Sequence, residues 1–391
     1  MSQRVVTKGS ALRRWLLIVG RTAVALVSAV VLTVTGYGWT LSRQLNSSLT
    51  TSAVLDHPSH AGAAQSQLGV PLGPMNVLLV GLDSRTDNQG NPLPQEVLAA
   101  LHAGGDDGEL NADTLILVHV PAEPAQPTVA VSIPRDSYVN VPGFGSHKIN
   151  SAYRWGMRDA EPALWAQGVD PAQLHRLTYQ AGARELVQTV EQLTGVTIDH
   201  YVEINLAGFY EITQAVGGVP ICLNAPIHDS YSGADLPAGP QTVSGAAALA
   251  FVRQRHGLPR GDLDRILRQQ AFLSGLVHRL LSGDVLTNRT AVAALDEAIA
   301  RYVVIDPGWD LAGLIEQARS MSEGSITFRT IPTGRIDLPT RDGEAVQVDP
   351  EQVQRFIANL TSEGDQASNL PSATLITRAV LPLATAIPCV S

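Results

Sequence analysis

The sequence predicts an α/β protein, with layers of helix around a central sheet and one transmembrane helix near the N-terminus. Three observations lead there. The runs NVLLVG (76–81), TLILVHV (114–120) and TVAVSIP (128–134) are short and continuously apolar, the pattern of strands covered on both faces. Helical spacings then alternate with further strands, which indicates layers packed on one sheet. Residues 22–41 carry no charge and can cross roughly 30 Å of hydrocarbon.

Arg4, Lys8, Arg13 and Arg14 precede the apolar run 15–41, and Arg21 interrupts it where a long side chain can snorkel to an interface. Tyr37 and Trp39 stand where an outer aromatic anchor sits. Basic residues before the span place residues 1–21 in the cytoplasm and the long remainder outside the cell membrane. A cleaved signal peptide is the rival reading, but the run is longer than an ordinary signal core, which favours a retained anchor. Residues 42–73 are rich in Ser, Ala, Gly and Pro and read as an extracellular tether. One catalytic domain is expected over 74–345, followed by a C-terminal extension, 346–391.

Within the domain, 87–110 reads as an excursion with one short helix at 95–102. ARELVQTVEQLTG (183–195) places Leu186, Val187, Val190 and Leu193 at helical spacing and stops at Gly195. HYVEIN (200–205) is a strand, 206–218 a helix stopped by paired glycines, 219–223 a strand and 244–253 a short helix. Leu263, Ile266, Leu267, Leu273, Val277 and Leu280 mark an amphipathic helix over 262–281. ITFRTIP (326–332) is a late strand. The two cysteines, Cys222 and Cys389, both follow the span. In an oxidising space such a pair forms a disulfide that ties the C-terminus to the domain; free buried thiols are the alternative.

The net charge is -9, which argues against general nucleic-acid binding. Only Lys8 and Lys148 are lysines; the preference for arginine reads as genome composition. Against this acidic background, FVRQRHGLPRGDLDRILRQQ (251–270) gathers Arg253, Arg255, Arg260, Arg265 and Arg268. Exposed guanidiniums repel by about 1 kcal/mol per pair at contact, and a polyanion offsets that. Arg253 and Arg255 point the same way in extended chain, and Asp262, Arg265 and Gln269 share a helix face. A solvated helix face with local ion pairs is the plain alternative. Arg260 and Arg268 read as its surface members, paired with Asp264.

Further polar groups stand at strand ends. Asp83 and Arg85 follow the first strand, Arg135 and Asp136 follow the third, and Asp113 precedes the second. Ligands of α/β sheets bind at carboxyl ends of strands, so Asp113 joins the set only if its strand runs antiparallel to its neighbour. Arginines for phosphate oxygens and carboxylates for a divalent cation fit an anionic ligand; loop capping is the alternative. Lys148 and Asn150 in GSHKINSAYRWG (145–156) add a point charge and an amide. No GxSxG, HExxH, Walker or CxxC pattern occurs, and the histidines are scattered, so a serine hydrolase or a zinc enzyme has little support.

Taken in order, NVLLVGLDSR, ADTLILVHV, VSIPRDSYVNVPGFGSHKINSAY, VTIDHYVEINLAGFYEITQAVGGV and ALAFVRQRHGLPRGDLDRILRQQ resemble the LytR–CpsA–Psr family of bacterial envelope proteins in its actinobacterial form. The resemblance implies a three-layer α/β/α sandwich with a central mixed sheet. It implies a phosphotransferase that moves a cell-wall glycopolymer from a polyprenyl-pyrophosphate carrier to peptidoglycan through a phosphodiester, with Mg²⁺ or Mn²⁺. By the same resemblance Asp83 and Asp113 are the metal-linked carboxylates. Arg135, Arg253, Arg255 and Arg265, with Gln269, match the residues that hold the pyrophosphate, and Asp262 matches an acidic position of the last motif. Asp83, Asp113, Arg135 and Arg255 are the expected catalytic set. From its strand-end position Arg85 is expected to join the pyrophosphate residues, and Lys148, Asn150 and Asp262 are expected as further substrate contacts. Asn111–Ala112 stands where many members carry Arg-Ser, which removes one cation. Arabinogalactan is favoured over teichoic-type or capsular polymers by the actinobacterial form. A pyrophosphatase and a non-catalytic lipid- or glycan-binding protein are the alternatives; DNA regulation is disfavoured because so little of the chain would face the cytoplasm.

Overall fold

The computed structural model describes residues 49–55, 74–101, 110–122, 126–281, 284–307, 326–362 and 388–391. The expected cytoplasmic segment and membrane span lie outside these residues. Among the described residues no helix is long and apolar enough to cross a membrane.

The fold is α/β around a seven-stranded mixed sheet. Its strands are β1 (Thr50–Thr51), β2 (Met75–Leu82), β3 (Ala112–Val120), β4 (Val129–Ser132), β7 (His200–Asn205), β12 (Val303–Ile305) and β13 (Thr327–Thr330). They lie in the order β1-β12-β7-β2-β3-β4-β13. β2 is parallel to β7 and antiparallel to β3, and β3 is antiparallel to β4. The apolar runs read from sequence are these central strands, and the late strand at 326–332 is the edge strand parallel to β4.

The strands' two faces meet different layers, because side chains alternate along a strand. Leu78, Val80, Leu117, Val131 and Tyr201 face one core cluster. Into it pack Tyr153 of α2 (Ala152–Ala166), Leu186 and Val190 of α3 (Pro171–Thr194) and Ile357 of α9 (Pro350–Ser362). The helix expected at 183–195 is the C-terminal half of α3, which starts earlier because Asp170 caps it by accepting from the Gln173 amide at 3.0 Å. α2 and α3 approach closely through a glycine on each: a Cβ on Gly156 would meet the Ala181 carbonyl at 2.6 Å, and one on Gly182 the Tyr153 carbonyl at 2.6 Å. α2 was not read as a helix from the sequence.

On the other face lie α4 (Leu206–Ala215), α5 (Gly245–Arg253), α6 (Asp262–Leu281) and α8 (Arg289–Tyr302), with the short α1 (Gln95–Ala100) and α7 (Asp284–Thr287) beside them. Asn205 caps α4 through the Gly208 amide, 2.8 Å, and Gly217 and Gly218 at φ 76 and 87 follow its end, as the paired glycines predict. β8 (Val219–Leu223) is not in the central sheet; it pairs with β11 (Gly239–Val243) and β16 (Cys389–Val390). The expected Cys222–Cys389 disulfide joins β8 to β16. A hairpin, β9 (Ile227–Asp229) with β10 (Ala234–Leu236), stands beside them.

Two expectations are revised. Part of the tether is docked: β1 pairs with β12, and the Ala53 carbonyl accepts from Gln180 and Arg184. A two-residue strand leaves no periodicity to read. The boundary drawn at residue 345 falls inside β15 (Gly343–Gln347), which pairs with β5 (Ser137–Val141) in a small sheet with β6 (Gly145–Lys148) and β14 (Leu338–Thr340). α9 packs into the main core, so residues 346–362 continue the domain.

Candidate functional site

Antiparallel pairing of β2 with β3 supplies the condition set for Asp113. The C-terminal end of β2 meets the start of β3, and the Asp83 amide donates to the Asn111 carbonyl at 3.0 Å. β4, antiparallel to β3, returns to the same edge and delivers Arg135 there. Above this edge opens a cavity of about 570 Å³ between the sheet and α4, α5, α6 and α8. Asp83, Asp113, Arg135, Arg253, Arg255, Arg265 and Gln269 all line it. Leu79, Ile204, Phe209, Phe272, Leu273 and Leu276 supply an apolar wall, which periodicity alone did not mark as a pocket.

The arginines are held by carboxylates. Arg135 Nη1 lies 2.8 Å from Asp113 Oδ1, and its Nε lies 3.6 Å from Asp262 and 3.8 Å from Asp136. Burial works against the Arg135 charge, but these three carboxylates outweigh it and hold the guanidinium above its ordinary value. Arg265, only 4% exposed, places Nη2 2.6 Å from Asp262 Oδ1 and 3.3 Å from the Asp113 carbonyl. Burial lowers Arg265 and raises Asp262 from their ordinary values, and the attraction between them opposes both shifts. The Nε groups of Arg135 and Arg265 are buried without a hydrogen-bond acceptor.

Gln269 donates to Thr114 Oγ1 at 3.2 Å and to the Val252 carbonyl at 3.4 Å. Arg253, the last residue of α5, donates to the Leu101 carbonyl at 3.0 Å. Arg255 is exposed at the cavity mouth. The other expected site residues stand outside the lining. Arg85 Nη2 lies 3.8 Å from Asp83. Lys148 Nζ lies 3.3 Å from Asp136, which neighbours Arg135, and the Asn150 backbone N–H donates to the Arg135 carbonyl at 3.1 Å. Asp262 likewise bridges Arg135 and Arg265. His147 is engaged by Asp342 at 2.9 Å and Arg341 at 2.7 Å, away from the cavity.

Arg260 pairs with Asp264 at 2.6 Å, as expected. Arg268, expected at the surface, is instead 2% exposed. It donates to Gln254 and to the Ser391 carbonyl and lies over the Phe251 ring. Burial pushes its guanidinium down to about 10. The strand β16, distant in sequence, covers this face of α6.

Among the described residues no group of three or more His, Cys, Asp or Glu is arranged to hold a metal ion. Asp83, Asp113 and Asp229 are the carboxylates on the cavity lining; Asp113 pairs with Arg135, and Asp83 and Asp113 at adjoining strand ends supply the carboxylate oxygens that a cation such as Mg²⁺ takes. Fold and site together define an α/β protein with an apolar cavity rimmed by arginines.

The family model described as the LytR_cpsA_psr family matches residues 44–361, and the chain belongs to that family. Cell wall biosynthesis protein LcpA of Corynebacterium glutamicum is 41% identical over 350 residues, covering 89% of this chain and 66% of that protein. The polyisoprenyl-teichoic acid–peptidoglycan teichoic acid transferase TagU of Enterococcus faecalis is 33% identical over 205 residues, 51% of this chain and 58% of that protein. The chain thus spans less than two thirds of the length of these relatives. A crystal structure of a Streptococcus agalactiae protein superposes with TM-score 0.55 at 19% identity, covering 78% of this chain and 93% of that one. B. subtilis TagT does so with TM-score 0.51 at 20% identity, covering 79% and 98%. At these identities the structural likeness is one of fold.

Proposed function

We propose that this protein transfers a cell-wall glycopolymer from a polyprenyl-pyrophosphate carrier to peptidoglycan, leaving a phosphodiester link. The observation that carries the reading is the cavity itself, an apolar wall for a hydrocarbon chain that ends at Arg135, Arg253, Arg255 and Arg265. Guanidinium groups pair with phosphate oxygens through charge-assisted hydrogen bonds, and four arginines on one lining fit a pyrophosphate. The names of the relatives, cell wall biosynthesis and teichoic acid–peptidoglycan transfer, support the same class of reaction; arabinogalactan, the polymer that the sequence resemblance favours, is the first to test.

In this reading a peptidoglycan hydroxyl attacks the sugar-side phosphorus. A new P–O bond forms, the P–O–P bridge breaks, and polyprenyl phosphate leaves with the bridging oxygen. The hydroxyl proton passes to Asp83 or Asp113. Arg135 and Arg265, already fixed by Asp262, meet the charge that grows on the leaving oxygen without having to reorganise. Mg²⁺ held by Asp83, Asp113 and substrate oxygens would supply further charge neutralisation. The span at 22–41, with its N-terminus in the cytoplasm, keeps this chemistry at the outer face of the membrane where the carrier lipid resides.

Arg255 provides the test. It is exposed, so Arg255→Ala leaves the melting temperature of the full chain in detergent unchanged while transfer falls by at least a hundredfold. Full activity in that variant removes Arg255 from the pyrophosphate site.

A further inference from the structure

Tyr231 is 75% exposed, yet it is fixed in place. Its ring stacks on His256, with centroids 4.2 Å apart and 28° between planes. The turn that carries it, between β9 and β10, is held from below. Buried Asp229 accepts from the Tyr231 amide at 3.1 Å, the Ser232 amide at 3.3 Å and the Ser232 hydroxyl at 2.7 Å. Gly233 closes the turn at φ 75, a conformation that favours glycine. On the other side the His256 carbonyl accepts from Gln254 at 3.1 Å, and Gln254 accepts in turn from buried Arg268. Both halves of the pair line the same cavity as the arginines.

A ring left in water forgoes the stabilisation of burial, so its exposure gains the fold nothing. A bare phosphate has no use for an aromatic face, and a hydrocarbon has none for the adjacent Arg255, the tyrosine hydroxyl and the imidazole. A sugar ring has both kinds of surface, with C–H groups on its faces and hydroxyls at its edge. Tyr231, His256 and Arg255 are all exposed members of the cavity lining, whereas Arg265 is buried. In the carrier-linked substrate the sugar lies beyond the pyrophosphate, on the side away from the hydrocarbon.

We propose that Tyr231 and His256 form a stacking platform for the sugar that adjoins the pyrophosphate of that substrate. The proposal rests on the carrier reading given above. Binding is measured on the full chain in detergent with two lipids of the same chain length: polyprenyl pyrophosphate, and the same lipid bearing one N-acetylglucosamine. Tyr231→Ala weakens binding of the sugar-bearing lipid by about fivefold to tenfold and leaves the sugar-free lipid unaffected, while Tyr231→Trp retains both. Equal affinities of Tyr231→Ala and wild type for the sugar-bearing lipid, or an equal loss on both lipids, overturn the platform. A raised KM for a muropeptide acceptor with unchanged donor binding overturns the donor assignment and gives the platform to the acceptor. If the wild-type chain binds neither lipid, the carrier reading itself fails.

Discussion

Asp262 holds the arginine pair together, and Asp262→Asn tests that role. Its carboxylate lies 2.6 Å from Arg265 and 3.6 Å from Arg135, with all three side chains 14% exposed or less. At an effective dielectric of 20 a contact at 4 Å is worth about 4 kcal/mol before desolvation. Removing one partner of a buried ion pair costs about 3–5 kcal/mol, because the remaining charge is left uncompensated. Here Asp113 and Asp136 still act on both arginines, which places the loss near the lower limit, about 3 kcal/mol. A thermal melt of the full chain in detergent then shifts down by about 4–5 °C. Inorganic pyrophosphate restores the missing negative charge, so its stabilising effect is larger on Asp262→Asn than on wild type. A variant that melts with wild type, or one that responds to pyrophosphate no more than wild type does, refutes the clamp.

Two further outcomes are expected. Asp113→Ala loses metal-stimulated turnover, checked by titrating Mg²⁺ against initial rate; an unchanged Mg²⁺ response removes Asp113 from the cation site. Glu203 is buried where the hydroxyls of Tyr153 and Tyr201 donate to it at 2.9 and 2.6 Å, and burial raises its pKa from 4.5 to about 7. The folded state therefore keeps a proton that the unfolded state releases. Its contribution to stability is complete below about pH 4.5 and declines as pH rises to about 7, by about 3 kcal/mol in all. Glu203→Gln removes that decline from a series of denaturant titrations against pH; a decline that persists in the variant assigns it elsewhere.

Much of the site was legible because its residues lie at the ends of strands that announce themselves. NVLLVG, TLILVHV and TVAVSIP are buried on both faces, so their apolar runs are continuous, and Asp83, Asp113 and Arg135 lie beside them. That Asp113 belongs with the others depended on strand direction, which β2–β3 pairing supplies. The role of Asp262 was not legible, since its second partner, Arg135, is 127 positions earlier in the chain. Arg268 was misread for a related reason. A helix with a leucine stripe normally leaves its opposite face in solvent, but the C-terminal residues beside β16 return to cover α6. The turn at Tyr231 carried no motif, and its meaning comes only from the stacking partner 25 positions later.

The central claim is glycopolymer transfer from a pyrophosphate carrier, and product analysis tests it most directly. The full chain in detergent is incubated with polyprenyl-pyrophosphoryl oligosaccharide and peptidoglycan, and the digested wall is examined by mass spectrometry. Muropeptides carrying the oligosaccharide through one phosphate, with polyprenyl monophosphate released in equal amount, are the predicted result. Release of free oligosaccharide phosphate with no modified muropeptide contradicts transfer and identifies a pyrophosphatase instead.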